Sequence, residues 1–256
     1  MCTIALLLDI VAGAPLVIAA NRDELYARPT RSPERLGPGI VGGVDELSGG
    51  TWLAIRRDGQ FAAVTNQRVA TPPPVGLRSR GLAVRELAAA DDPDGYVAAL
   101  DPADYASMNL VWGDARRVWV AYSRRDQRTL EIERLGSGLH VLCNDRLGSP
   151  GFPRGERLRS VIAAAIGRGV AWPALGQLLE AALGDHAKQP TGTIPPQVPA
   201  DLAHELTAIC IHTPAYGTRS ATVIAAAPGA VSSYRHADGP PCTAPFVEYR
   251  EQLEAA

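Results

Sequence analysis

Short apolar segments of strand length recur along the chain, and turn-forming residues separate them, so the fold must contain extensive β-sheet. Ala12-Gly13-Ala14 follows the first such segment, and Arg57-Asp58-Gly59 separates two later ones. Gly and Asp in such breaks are typical of tight turns. The pattern therefore predicts a β-rich opening, with strands over residues 3–10, 16–20, 51–55 and 61–65.

Helical periodicity appears between and after the strands. Val84, Leu87 and Ala88 form an apolar stripe at helical spacing, and Leu158 and Ile162 begin another. The sequence predicts helices over residues 79–90, 93–100, 154–167, 173–183 and 246–253, and further strands over residues 108–112, 118–123, 129–135, 139–143, 208–212, 221–226 and 230–234. Two runs of strands with helical pairs between and after them indicate two packed sheets sandwiched between helix layers. We expect residues 1–256 to form one domain.

The charge and the apolar runs exclude two classes of partner. The formal net charge is −2, and the 25 Lys and Arg residues are scattered, so no basic surface for nucleic acid is expected. Apolar runs such as residues 4–8 fall far short of the roughly 20 residues that a membrane span needs. Asp9 and Pro15 interrupt the start of the chain, which carries no basic region typical of a secretion signal. We expect a cytoplasmic protein, and the Ala-, Arg-, Pro- and Gly-rich composition indicates a bacterial one.

Cys2 directly follows Met1, and this position gives it a specific chemistry. Removal of Met1 is favoured before a small residue, and it leaves a thiol and an α-amine on one residue. An α-amine has a pKa of about 7.7–8.0, so its neutral fraction near pH 7 takes a proton from the thiol. The alternative is that Cys2 simply begins a buried strand, because free cysteine usually behaves as a small hydrophobic residue.

A charged tetrapeptide, Asn21-Arg22-Asp23-Glu24, follows the second predicted strand. If the first two strands form a hairpin, this tetrapeptide lies at the same end as Cys2. Arg22 would then lower the pKa of the thiol, and Asp23 would hold the α-ammonium. The alternative is an exposed turn with ordinary salt bridges.

Seven motifs together resemble one known family. They are MCT at the start, ANRDE, GGTWLAI, TNQR, Asn109-Leu110 with Gly113-Asp114, LCND, and YGTRSATVI. This ordered set resembles the NRDE family, also called the transport and Golgi organization protein 2 family, over residues 1 to about 226. The resemblance implies an α+β fold of four αββα layers, of the N-terminal-nucleophile (Ntn) hydrolase type, similar in plan to conjugated bile acid hydrolase and penicillin V acylase.

The resemblance also implies roles for six residues. By similarity, Cys2 is the nucleophile, flanked by Arg22 and Asp23, and Asn66 helps to form an oxyanion hole. Asn144 resembles a second asparagine that contacts the nucleophile region, and Arg219 an arginine near the cysteine. The alternatives are Asx turns for the asparagines and a surface ion pair for Arg219.

The resemblance leaves two functions open. The first is a cysteine amidohydrolase or acyltransferase that acts on a small amide or related acyl substrate. The second is non-catalytic binding of a lipid, acyl-CoA or haem, because eukaryotic relatives are linked to lipid and haem handling; Cys2 would then be an axial haem ligand. Outside that alternative we expect no cofactor. The oligomeric state stays open.

Other segments carry weaker signals. The five histidines form no HxxEH or HxH pattern, and none has an obvious cysteine or carboxylate at ligand spacing, so no metal site is expected. Four cysteines without CxxC spacing are expected to be reduced thiols. Gly50 either brings backbone close to a substrate or forms a turn, and Trp52 is expected in the core. The Pro-rich residues 190–199 predict a surface loop, either a linker or a lid.

Overall fold

Strands dominate the computed structural model, which describes residues 2–69, 71–190 and 200–254. The strands are β1 (Cys2–Leu8), β2 (Leu16–Leu25), β3 (Thr30–Gly37), β4 (Ile40–Asp45), β5 (Leu53–Arg56), β6 (Phe61–Asn66), β7 (Met108–Gly113), β8 (Val118–Arg124), β9 (Thr129–Leu135), β10 (Gly138–Leu142), β11 (Tyr216–Ala227), β12 (Ala230–Ala237) and β13 (Phe246–Glu248). The helices are α1 (Arg80–Ala89), α2 (Pro93–Ala98), α3 (Pro153–Gly167), α4 (Ala174–Leu183), α5 (Ala200–Glu205) and α6 (Glu251–Glu254), with a 3-10 helix at Pro102–Asp104.

These strands form two antiparallel sheets. The first sheet has the order β10-β1-β2-β11-β12-β13, and the second has the order β3-β4-β5-β6-β7-β8-β9. The second sheet is a meander, because neighbours in sequence are neighbours in space. In the first sheet, β10 and β11 flank the β1–β2 hairpin on both sides. The beginning of β1 is therefore enclosed by strands rather than lying at a sheet edge.

Three apolar clusters hold the layers together. One lies between the two sheets, one between the first sheet and helices α3 and α4, and one between the second sheet and helices α1 and α2. Because side chains alternate between the faces of a strand, Ile4 and Leu6 enter the cluster between the sheets, and Ala5 and Leu7 enter the cluster under the helices. The order of layers is α–β–β–α, which confirms the predicted four-layer α+β sandwich.

Two predicted elements are wrong. Residues 208–211 form bends and irregular backbone, and His212 forms only an isolated bridge with Gly217. Some of their backbone groups bond to side chains: Asn21 Nδ2 donates to the Ile209 carbonyl, and the Ile211 amide donates to Thr218 Oγ1. The predicted helix over residues 246–253 begins as the edge strand β13, which pairs with β12, and only its last residues are helical. Of the predicted Pro-rich loop, residues 191–199 lie outside the described residues. No helix in the described ranges is long and apolar enough to cross a membrane.

Candidate active site

The start of β1 and the end of β2 meet because these strands form an antiparallel hairpin. Cys2 pairs with Arg22, and Thr3 pairs with Asn21. The end of the hairpin opens into a cavity of about 220 Å³ whose lining includes Cys2, Arg22, Asp23, Trp52, Asn66 and Arg80. The structure thus brings four of the six predicted site residues to one cavity.

Asn144 follows the strand on the other side of β1. The β1–β10 register, continued past its last pair, places Asn144 beside Cys2. Asn144 Nδ2 donates to the Asn66 carbonyl at 2.8 Å, and Asn144 Oδ1 accepts from Arg154 at 2.6 Å. These long-range bonds show that the Asx-turn alternative is wrong for this residue. Asn144 links the first sheet to the second and holds Asn66, which lines the cavity, without lining the cavity itself.

Two further hydrogen bonds join the same strand ends. Thr65 Oγ1 donates to the Cys143 carbonyl at 2.7 Å, and the Arg68 amide donates to the Asn144 carbonyl at 2.7 Å. The end of β6 is therefore tied directly to the segment after β10. This polar connection fixes the position of Asn66 relative to Cys2.

Arg154 is the functional-site residue that sequence reasoning missed. It lies in the first turn of α3 and is only 3% exposed. Each guanidinium nitrogen has its own acceptor: Nε donates to Thr3 Oγ1 at 2.9 Å, Nη1 to the Leu206 carbonyl at 3.2 Å, and Nη2 to Asn144 Oδ1 at 2.6 Å. A signal was present in the sequence, because Arg154 lies four residues before Leu158 on the buried face of the predicted helix.

Asp23 is buried beside this cation. Asp23 Oδ1 accepts a hydrogen bond from Thr218 Oγ1 at 2.8 Å across the β2–β11 pair. Burial raises the pKa of the Asp23 carboxyl, and the positive charge of Arg154 is the strongest influence opposing that rise. A buried carboxylate at the end of β2 therefore accepts a hydrogen bond from a hydroxyl, and the charge of Arg154 favours its ionised form.

The electrostatics of Cys2 differ from the expectation. Burial raises the pKa of the Cys2 thiol, and this effect outweighs the nearby charge of Arg22, which lowers it. The predicted effect of Arg22 on the thiol pKa has the expected direction, but burial has the larger effect. Deprotonation of Cys2 therefore requires a base close to the sulfur.

Arg22 is held by one cavity wall. Its guanidinium carbon lies 4.4 Å from the centre of the Trp52 ring, and its Nη2 lies 3.9 Å from Asp45 Oδ2. Trp52 packs against the core between the sheets, as predicted, and also lines the cavity. The other nitrogen, Arg22 Nη1, is buried and has no hydrogen-bond acceptor among the described residues. One strong donor beside the cavity thus lacks an acceptor within the described part of the chain.

One further expectation fails, and one open alternative is decided. Arg219 is not among the residues that line the cavity; it donates from Nη1 to the Tyr26 carbonyl at 2.8 Å and from Nη2 to Thr30 Oγ1 at 3.1 Å. Its role in the described fold is to hold the loop after β2. Gly50 approaches backbone rather than a substrate, because a Cβ there would lie 2.3 Å from the Gly81 carbonyl carbon. The glycine allows the turn after β4 to pack on the start of α1.

The histidine spacing was also misleading. The sequence predicts no cysteine at ligand distance from a histidine, yet the ligand atoms of His186, Cys210, His212 and Cys242 all lie within 4.8 Å of one another. None of these residues lines the cavity. The prediction fails because it overlooked Cys210, two residues before His212, and because His186 and Cys242 come from segments far away in sequence.

A four-layer αββα sandwich, with a cysteine that begins an inner strand and faces a cavity, is a fold of the Ntn-hydrolase type. Two variants of the conjugated bile acid hydrolase from Clostridium perfringens share the fold, with TM-scores of 0.51 and 0.52. They align over 97% and 98% of this chain and 96% and 97% of their own, at 11% and 10% identity. At such low identity the likeness shows the fold alone.

Within this class, the chain belongs to the Transport and Golgi organisation 2 family, whose profile matches residues 1–232. The Transport and Golgi organization protein 2 homolog of Bos taurus is 30% identical over 232 residues, which cover 82% of this chain and 81% of the relative. The Homo sapiens homolog is 28% identical over the same length, with the same coverage. The family resemblance seen in the motifs is confirmed.

Proposed function

We propose that the chain is a cysteine amidohydrolase of the Ntn type, which cleaves an amide or related acyl bond through an acyl-enzyme on Cys2. One observation carries the proposal: Cys2 shares a cavity with Arg22, Asp23 and Asn66. These neighbours offer a cation, a carboxylate and a neutral amide, which are the groups that acyl transfer needs around a nucleophile.

The nucleophile requires removal of Met1, which leaves the α-amine on Cys2. Because burial raises the pKa of the thiol, a nearby base must take its proton. After removal of Met1, the α-amine of Cys2 itself is the base on the same residue. Asp23 lies one residue past the partner of Cys2 on β2, so we expect its carboxylate to face the new amino terminus. A carboxylate there orients the amine and stabilises its protonated form.

The reaction proceeds in two balanced halves. The α-amine takes the thiol proton, Sγ bonds to the substrate carbonyl carbon, and the C–N bond then breaks as the leaving amine receives that proton. Water attacks the resulting thioester, releases the carboxylic acid and regenerates the thiol. An amine acceptor in place of water would give acyl transfer instead of hydrolysis.

Two donors are available for the oxyanion that forms during attack. The Asn66 side chain lines the cavity, and Arg22 Nη1 is buried and has no acceptor within the described part of the chain. Preorganised donors of this kind stabilise the negative charge that develops on the carbonyl oxygen, and removing one costs about 10²–10³ in kcat.

The charge of the cavity indicates a preference among substrates. Arg80 also lines it, forms no ion pair within the described ranges, and has a hydrogen bond only to the Ser107 carbonyl at 3.4 Å. Burial lowers the pKa of Arg80, so its guanidinium gains from a negatively charged partner. We expect amides that carry a carboxylate to be cleaved faster than neutral amides of the same size.

The alternative of lipid, acyl-CoA or haem binding has less support. Sites for drug-sized ligands have volumes of about 300–1,000 Å³ and mostly apolar walls. The cavity beside Cys2 has about 220 Å³ and includes several charged side chains. This favours a small polar group at the reacting centre over a large apolar ligand.

The state of the amino terminus is the first test. Intact mass should show loss of Met1, and 2-cyanobenzothiazole, which condenses with 1,2-aminothiols, should label one site. The Cys2→Ala variant should not be labelled. An active sample that retains Met1 would refute the proposed nucleophile.

Turnover is the second test, measured as amine released from N-acyl amides with and without a carboxylate. Cys2→Ala should abolish turnover while far-UV circular dichroism stays unchanged. Arg22→Gln should lower kcat/KM by about 10²–10³, and the matched control Arg219→Gln, outside the cavity, should keep the wild-type value. Equal losses in the two arginine variants, or a Soret band on haem addition that Cys2→Ala removes, would contradict the proposal.

A further inference from the structure

Two histidines and two cysteines converge outside the cavity, at the start of β11. The ligand atoms of His186, Cys210, His212 and Cys242 all lie within 4.8 Å of one another. His212 Nε2 is 3.5 Å from Cys210 Sγ and 3.3 Å from Cys242 Sγ. In a tetrahedral zinc site, Zn–N of about 2.05 Å and Zn–S of about 2.3 Å place nitrogen and sulfur ligands about 3.6 Å apart. The observed separations are close to that edge length.

The tautomer of His186 also fits metal binding. Its Nδ1 lies 3.2 Å from the Cys210 carbonyl oxygen. A carbonyl oxygen only accepts hydrogen bonds, so Nδ1 carries the proton and Nε2 keeps its lone pair. Metal-ligating histidines commonly donate their other ring nitrogen to a carbonyl or carboxylate in this way, which fixes the ring for coordination.

Three separate segments supply the four residues. His186 follows the end of α4, Cys210 and His212 lie between α5 and β11, and Cys242 lies in the turn after β12. The cluster is only partly enclosed: Cys210 is buried, Cys242 is half-buried, and both histidines are exposed. An ion can therefore reach the site from solvent.

We propose that His186, Cys210, His212 and Cys242 bind one zinc ion as a structural Cys₂His₂ site. Two thiolates and two imidazoles match the ligand types and the number of closed structural zinc sites. Binding of Zn²⁺ displaces the two thiol protons, so the thiolates balance the charge of the ion. With four protein ligands, no coordination position is left for a substrate, and the role is to join the three segments.

The proposed site is connected to the candidate active site through one strand residue. Ile211, between two of the ligands, donates its amide hydrogen to Thr218 Oγ1 at 2.9 Å and accepts from the Thr218 amide at 2.8 Å. Thr218 Oγ1 in turn donates to Asp23 Oδ1 at 2.8 Å. Zinc at this site would therefore hold the segment that positions Asp23. The metal site itself stands whether or not the chain is a hydrolase.

Metal content of the full-length protein tests the inference. Protein purified from zinc-supplemented cells should contain one zinc per chain by plasma mass spectrometry, and Co²⁺ exchanged into it should show tetrahedral d–d bands with thiolate charge-transfer absorption. Cys242→Ser and His212→Ala should each lower zinc content at least tenfold. Cys2→Ala and His140→Ala, matched controls outside the cluster, should keep one zinc per chain.

Several results would overturn the proposal. One is wild-type protein that binds neither Zn²⁺ nor Co²⁺ when reduced. Another is a non-reduced mass lower by two hydrogens with Cys210 and Cys242 peptides linked, which would identify a disulfide instead. Hydrogen exchange gives a readout independent of the variants: chelation should speed exchange of the Ile211 and Thr218 amides. Unchanged exchange there on loss of bound zinc would contradict the structural role.

Discussion

Replacing Arg154 should destabilise the fold strongly, because its cation is buried with three specific acceptors. Arg154→Met keeps a similar length but leaves Thr3 Oγ1, the Leu206 carbonyl and Asn144 Oδ1 without their donor. It also removes the positive charge that most strongly opposes the rise in the pKa of Asp23. The variant thus tests whether one guanidinium organises the site.

The expected loss follows from these contacts. Removing one partner of a buried charged network costs about 3–5 kcal/mol, so we expect the free energy of unfolding to fall by about 4 kcal/mol for Arg154→Met. Arg154→Lys keeps the charge, but a single ammonium group cannot reach three acceptors that are placed around a planar guanidinium. Because it keeps a positive charge that favours the ionised Asp23 carboxyl, we expect a smaller loss of about 2 kcal/mol.

Urea unfolding at pH 7, followed by far-UV circular dichroism and tryptophan fluorescence, measures these values. A double-mutant cycle combines Arg154→Met with Asp23→Asn. Asp23→Asn removes the buried carboxylate that Arg154→Met leaves without its favourable charge. The double variant should therefore lose less stability than the sum of the two single variants, by about 1–3 kcal/mol. A loss below about 1 kcal/mol for Arg154→Met, or equal losses for Met and Lys, would refute the reasoning.

Two further predictions concern pH and packing. Burial lowers the pKa of His236 to about 4 from the ordinary 6.5, and its Nδ1 pairs with Thr222 Oγ1, so the unfolded chain binds more protons between these values. Stability should therefore fall as pH drops from 7 to 4.5, by about 2 kcal/mol from this group. Urea titrations should show that this part of the pH dependence is missing in His236→Gln. Gly43→Ala would place a Cβ 2.2 Å from the Trp52 ring, so we expect a loss of about 1–3 kcal/mol and altered tryptophan fluorescence. Gly136→Ala, where a Cβ meets nothing within 4 Å, is the control, and equal effects of the two substitutions would contradict the packing argument.

The strands and helices with clear periodicity were predictable from sequence because one face of each is apolar. β3 was not predicted, because it is a sheet-edge strand with mostly polar residues and contains Pro33, which only an edge strand tolerates. Residues 208–212 show the opposite error. Their apolar side chains are buried, but their backbone groups bond to scattered partners, such as the Thr218 hydroxyl and the Asp185 carbonyl, which no local pattern reveals.

The site was predictable where it depends on the first hairpin. Cys2 and Arg22 are neighbours because a short turn fixes the register, and that turn is visible in the sequence. Arg219 was wrongly predicted to lie near Cys2. A bulge between Thr218 and Ser220 in the pairing with β2 sets which way its side chain points, and the sequence does not show this bulge. Arg154 was missed because its acceptors lie on three other segments.

The hydrogen bonds of Asn144 and Thr65 join the two sheets beside the cavity, which bears on how the cavity could differ among relatives. Apolar contacts between two sheets have no preferred direction and permit small sliding, whereas these bonds anchor the sheets at the end where Cys2 lies. The width of the cavity is therefore a fixed dimension of the scaffold. Under the proposed function, adaptation to a larger or smaller acyl group would fall to side chains that line the cavity, such as Trp52.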